Sequence, residues 1–176
     1  MPKLLEVRDL KTYFFTRRGV VRAVDGVSFS LDKGDTLGIV GESGCGKTVT
    51  CLSIMRLVPQ PAGKVVGGEI LLHGDDLLKK SEREMRGIRG SRIAIIVQDP
   101  MTSLNPVFSI GNQLTETIVA HRGLKGAGLK EAAVSALQMV RIPSPEVRLR
   151  NFPHQLSGGT RQRVVGAIAL SCEPEL

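Results

Sequence analysis

The chain has no tryptophan and one tyrosine in 176 residues. With so few single aromatic platforms, a surface that stacks nucleic-acid bases is not expected. Cysteine is also scarce. Cys45, Cys51 and Cys172 show neither paired metal-ligand spacing nor the density of a disulfide scaffold, which fits a reducing compartment. Long apolar runs are missing. The longest, residues 93–97 and 164–170, fall far short of the roughly 20 residues that a membrane-spanning helix needs, so any membrane attachment is expected to come through a partner. The N-terminal stretch meets Glu6 before an apolar leader can develop, so a protein that stays in the cytosol is expected. There is no internal repeat and no low-complexity tract.

What is present is ordinary for one soluble globular domain: 41% hydrophobic and 23% charged residues. The net charge of +7 is not concentrated in a patch, because acids interrupt the bases, as in Lys79, Lys80, Glu82, Arg83, Glu84, Arg86. No nucleic-acid partner follows from it. Along the chain, Val27, Phe29 and Leu31 alternate with Ser28, Ser30 and Asp32, the pattern of a half-buried strand. Residues 36–40 read as a short apolar strand, 41–48 as a glycine-rich loop, and the following residues as a helix running towards Leu57. Residues 61–68 read as a loop, 69–73 as a strand, 75–89 as a charged stretch and 93–97 as a buried strand. From Asp99-Pro100 onwards the pieces are helical, with Leu129, Ala133, Leu137 and Val140 on one face; a last apolar helix reaches Cys172.

Two motifs carry chemistry. Gly41-Glu42-Ser43-Gly44-Cys45-Gly46-Lys47-Thr48 has the spacing of a P-loop, between an apolar strand and a helix. Glycines let successive backbone N–H groups turn inward, the helix N-terminus favours an anion, Lys47 reaches the outer phosphates and the Thr48 hydroxyl ligates Mg²⁺. The second motif, Leu156-Ser157-Gly158-Gly159-Thr160-Arg161-Gln162-Arg163, opens the last helix with Ser157 and two backbone N–H groups suited to an oxyanion.

This second segment, 115 positions after the P-loop, resembles the signature sequence of ATP-binding cassette (ABC) proteins. The resemblance covers the whole chain. Gln98 stands where that family has its Q-loop glutamine, close to Mg²⁺ and the attacking water. Phe14 stands where the family places an aromatic ring on adenine, with Tyr13 as the alternative. The run from Gln98 to Pro106, with Phe152-Pro153-His154-Gln155, looks like the ATPase subunits of bacterial dipeptide, oligopeptide and nickel importers. Thr160 replaces the Met usual in that group, and Cys45 replaces a common Ser.

The fold implied is α/β, a P-loop core with an N-terminal antiparallel β subdomain and an inserted helical subdomain, incomplete at the C-terminus. Its parts would be residues 1–99 for the β subdomain and first part of the core, 100–156 for the helical subdomain and 157–176 for the signature helix. The implied activity is ATP hydrolysis coupled to transport. ATP and Mg²⁺ would be bound by Phe14, Gly41, Ser43, Gly44, Cys45, Gly46, Lys47, Thr48, Val49 and Gln98, with Lys47 and Gln98 acting in catalysis. Ser157, Gly158, Gly159 and Gln162 would act on the ATP of a second cassette in a head-to-tail dimer. Permease subunits in the membrane would be direct partners and a solute-binding protein an indirect one, with the ATPase peripheral at the cytoplasmic face. The family's Asp for Mg²⁺ and Glu general base would follow Leu176, so residues 1–176 alone are not expected to hydrolyse ATP. Strands 36–40 and 93–97 would then lack their neighbours. Two other readings stay open: a non-transport ABC ATPase and a truncated, non-catalytic product.

Overall fold

A computed structural model describes residues 3–97 and 103–176, in two compact units divided between Met85 and Arg86. The expected glutamine Gln98 lies outside the described residues.

The first unit is built on a four-stranded antiparallel sheet of order β2-β1-β3-β4, with β1 at Leu5–Thr16, β2 at Gly19–Leu31, β3 at Gly63–Leu72 and β4 at Asp75–Asp76. Leu5 and Val7 face the core by simple alternation, but the next buried residue is Leu10, three positions on. A bulge at Arg8-Asp9, with Asp9 at positive φ, restores the apolar face, and the register shifts there against both neighbours. Gly68 sits opposite, where a Cβ would lie 2.6 Å from the Arg8 carbonyl oxygen and 2.5 Å from that of Asp9. Only glycine fits so close to the bulged backbone.

Three expectations are corrected. The loop read at residues 61–68 belongs to β3 from Gly63 onwards, because Gly63 pairs with Phe14 and Val65 with Thr12; the glycines there make room for close packing instead of a turn. The strand around Val27 forms as part of β2, yet Val27 is exposed and Phe29 only half-buried, so the expected apolar face is covered only at Leu31. Residues 36–40 form no strand. Leu37, Ile39 and Val40 are exposed, and no neighbouring strand among the described residues takes up their backbone groups, without which an extended segment has no ladder.

Helix α1, Lys47–Ile54, packs on this sheet through buried Thr50, Ser53 and Ile54. It is pinned by a buried hydrogen bond of 2.8 Å between the hydroxyls of Ser53 and Thr12 on β1. A short 3₁₀ turn at Leu77–Lys79 leads to α2, Glu82–Ile88, whose start is closed by Ser81 and Glu84: the Ser81 N–H donates to the Glu84 carboxylate at 2.7 Å and the Glu84 N–H to Ser81 Oγ at 3.3 Å.

The second unit is helical. Its core joins α3 (Ile110–Arg122), α4 (Gly126–Met139) and α6 (Gly158–Leu170) through Ile110, Leu114, Ile118, Ala133, Leu137, Val164 and Ala167. The face read at Leu129, Ala133, Leu137 and Val140 is the one that packs inward. A short α5, Pro145–Arg148, precedes the segment that positions α6. The buried strand expected at 93–97 does not form, and Ile96 and Val97 are exposed. Only its start is bonded: Leu176 N–H donates to Arg92 O at 3.1 Å and Ala94 N–H to Leu176 O at 2.8 Å, the two bonds of a parallel pairing, beside a bridge between Arg89 and Ile93.

Candidate functional site

The glycine-rich loop owes its course to two left-handed residues, Gly44 at φ +85° and Gly46 at φ +93°. Gly46 also lies so close to β2 that a Cβ would stand 2.2 Å from the Ala23 carbonyl oxygen. The loop is thereby pressed against the strand, and α1 starts at a fixed place. No side chain caps α1 and no acidic residue occupies its first turn. Its first N–H groups have no intrahelical partner, which leaves them for an anion.

Lys47 folds back over the loop. Its Nζ donates to the carbonyls of Gly41 and Glu42, both at 2.7 Å, and lies 3.5 Å from Cys45 Sγ. Ser43, Gly44, Cys45 and Thr48 are exposed, and Val49 is half-buried. Among the described residues, no cluster of three or more His, Cys, Asp or Glu side chains could hold a metal. The exposed Thr48 hydroxyl in the first turn of α1 is a hard oxygen donor of the kind Mg²⁺ takes together with phosphates, so the residues present fit that ion as a companion of a nucleotide.

The two aromatic candidates separate by sheet face. Tyr13 is occupied: its hydroxyl donates to Asp25 Oδ1 at 2.7 Å, which raises its pKa, and the Arg22 guanidinium covers its ring at 5.6 Å. Phe14 shares the opposite face with Thr12, which contacts α1. There it is half-buried, converging with Val58 on Gly63.

The signature segment opens α6 in the second unit. Ser157 is its N-cap; Oγ accepts from the Thr160 N–H at 3.3 Å and lies 2.8 Å from Thr160 Oγ1. Thr160, which departs from the expected Met, therefore takes part in the cap. Ser157, Gly158, Gly159 and Gln162 are exposed, and Arg161 Nε bonds back to the Leu156 carbonyl at 3.0 Å. Sequence reasoning missed the carbonyls that hold Lys47 and the Asp25 that occupies Tyr13. The first are backbone atoms with no residue signature, and the second is a cross-sheet neighbour that periodicity does not reveal.

A family model described as ABC transporter matches residues 24–176. The chain is 54% identical over 98% of its length to a probable peptide ABC transporter ATP-binding protein, y4tR, of Sinorhizobium fredii, covering 52% of that protein. It is 52% identical over 99% of its length to the oligopeptide transport ATP-binding protein OppD of Bacillus subtilis, covering 49%. The chain thus spans about half the length of the curated relatives it matches. Among solved structures, a dimeric bacterial ABC transporter cassette superposes with a TM-score of 0.83 at 23% identity, covering 97% of this chain and 70% of that one. At that identity the likeness shows the fold: the expected α/β cassette with an antiparallel sheet and helices.

Proposed function

Because the chain belongs to the ABC transporter family, we propose that residues 41–48 bind the phosphates of ATP and that the full-length polypeptide is the ATP-hydrolysing subunit of an importer for peptides or a related small solute. The observation that carries this is the P-loop itself: an uncapped helix start, a backbone held open by Gly44 and Gly46, and a lysine ammonium poised over it on two carbonyls. The peptide-transport names of the relatives support the solute class.

Lys47 exchanges its bonds to the Gly41 and Glu42 carbonyls for stronger, charge-assisted bonds to the outer phosphates. The loop N–H groups take the remaining phosphate oxygens, and Phe14 stacks on the base. Thr48, together with the phosphates, would hold Mg²⁺, which would supply neutralisation of charge during phosphoryl transfer, and Gln98 would act in catalysis beside it. Ser157, Gly158, Gly159 and Gln162 act on the nucleotide of a second cassette. Permease subunits are direct partners at the cytoplasmic face of the membrane, a solute-binding protein an indirect one, and nucleic acid is not a partner. Within the chain, residues 1–99 serve the β subdomain and core, 100–156 the helical subdomain and 157–176 the signature helix.

The test uses the full-length protein carrying Ser157→Arg. ATP binding to the isolated subunit is expected to stay at the parental level while phosphate release stops, because the serine serves the partner's nucleotide. Loss of binding in the isolated subunit would show that the signature segment belongs to the subunit's own phosphate site.

A further inference from the structure

We infer that Thr160 is a positioning residue of the signature segment, whose hydroxyl donates to Ser157 Oγ and thereby fixes the Ser157 hydroxyl as a donor to a phosphate oxygen of the second cassette's nucleotide; this rests on the role of Ser157 proposed above. Ser157 is exposed at the N-cap of α6, Thr160 is half-buried three residues on, and their hydroxyl oxygens are 2.8 Å apart. The Thr160 N–H donates to the same Ser157 Oγ at 3.3 Å. Helical threonines elsewhere in the chain use their hydroxyls differently. Thr50 and Thr115 turn them back onto the carbonyl four residues earlier, at 3.0 and 2.7 Å. At Thr160 the corresponding carbonyl, that of Leu156, takes Arg161 Nε at 3.0 Å, and the Ser157 carbonyl takes the Arg161 N–H at 2.9 Å. Among the described residues, Ser157 Oγ is the one oxygen that the Thr160 hydroxyl bonds.

A serine hydroxyl has one proton and two lone pairs. If Ser157 donated to Thr160, its proton would be consumed there and a lone pair would face the phosphate. With Thr160 as the donor, the backbone N–H and the hydroxyl of one residue fill both lone pairs of Ser157 Oγ, and the serine proton can only go outward. An anionic oxygen selects this second arrangement, because a hydrogen bond to a charged acceptor is about twice as strong as one between neutral groups. The chain from the Thr160 O–H through the Ser157 O–H to the phosphate then polarises in one direction, and each bond strengthens the next. Methionine, the residue usual at this position in the importer group, has no proton to give, so the device belongs to the threonine of this chain.

The test compares three variants of the full-length protein: Thr160→Val, which keeps the branched shape and loses the hydroxyl, Thr160→Ser, which keeps the hydroxyl and loses the methyl group, and Ser157→Ala. Two quantities are read, phosphate release at saturating MgATP and MgATP binding by the isolated subunit, the second of which reports folding and the P-loop. Thr160→Val is expected to lower phosphate release on the order of fivefold, the worth of one hydroxyl hydrogen bond, and to leave binding unchanged. Thr160→Ser is expected to release phosphate at the parental rate. Parental release in Thr160→Val overturns the inference. An equal loss in both Thr160 variants also overturns it, since the methyl group would then be the cause, as does weakened binding by the isolated Thr160→Val subunit, which would mark Thr160 as structural. If Ser157→Ala releases phosphate at the parental rate, the proposed role of Ser157 has failed and the inference falls with it; if only the Thr160 arm fails, the role of Ser157 stands.

Discussion

Helices α1 and α6 both begin on glycine-rich segments with exposed backbone, and their first turns are completed in different ways. At α6, Ser157 takes an extended conformation and its own side chain accepts the Thr160 N–H. At α1, the residue before the helix is a left-handed glycine, with no side chain to cap and a lysine ammonium parked nearby on loop carbonyls. The first arrangement satisfies one of the helix's first N–H groups from within, which stabilises the start of α6 without a ligand. The second leaves donors and a cation to be satisfied from outside, which is the condition for binding a polyanion tightly.

The comparison breaks first at Lys47. Lys47→Ala in the full-length protein removes the ammonium that lies over the uncapped start of α1, and phosphate release is expected to fall by on the order of 100-fold or more, measured at saturating MgATP. Turnover at the parental level would make the two helix starts equivalent. Next is Gly46→Ala, which places a methyl group 2.2 Å from the Ala23 carbonyl oxygen at φ +93°. Strain of left-handed backbone alone costs about 1–3 kcal/mol, and the clash is with backbone that cannot turn away, so a lower melting temperature together with lost ATP binding is expected in thermal melts with and without MgATP. The smallest effect belongs to α6. Ser157→Ala removes an exposed cap worth about 1 kcal/mol and should lower urea stability by that amount without altering ATP binding by the isolated subunit. Ser157→Asp, which caps equally well, should restore the stability; failure to do so would mean the serine's role is not capping.

The course of the glycine-rich loop was legible because its shape is local. Positive φ at residues 44 and 46, a lysine and a threonine at fixed offsets describe a backbone shape that few other residue choices allow. The signature was legible for a similar reason, as a serine followed by glycines at a helix start. The helical core was legible from spacing at Ala133 and Leu137. Strands were less so. Residues 36–40 and 93–97 are apolar enough to be read as strands, yet a strand exists only through its neighbours, and among the described residues only the start of the second segment finds a partner. The glycines of residues 63–68 misled in the opposite direction, since the same residue serves turns and close strand packing.

The sequence alone determined the glycine-rich loop before α1 and the capped start of α6, because each depends on residues adjacent in the chain, and the order of such local motifs along it marked the ABC family. Only the tertiary structure separated the surroundings of Tyr13 from those of Phe14. The two differ by one position, and the pleat sends consecutive side chains to opposite faces, so their surroundings follow from what the sheet sets on each side: Arg22 and Asp25 on one, helix α1 on the other.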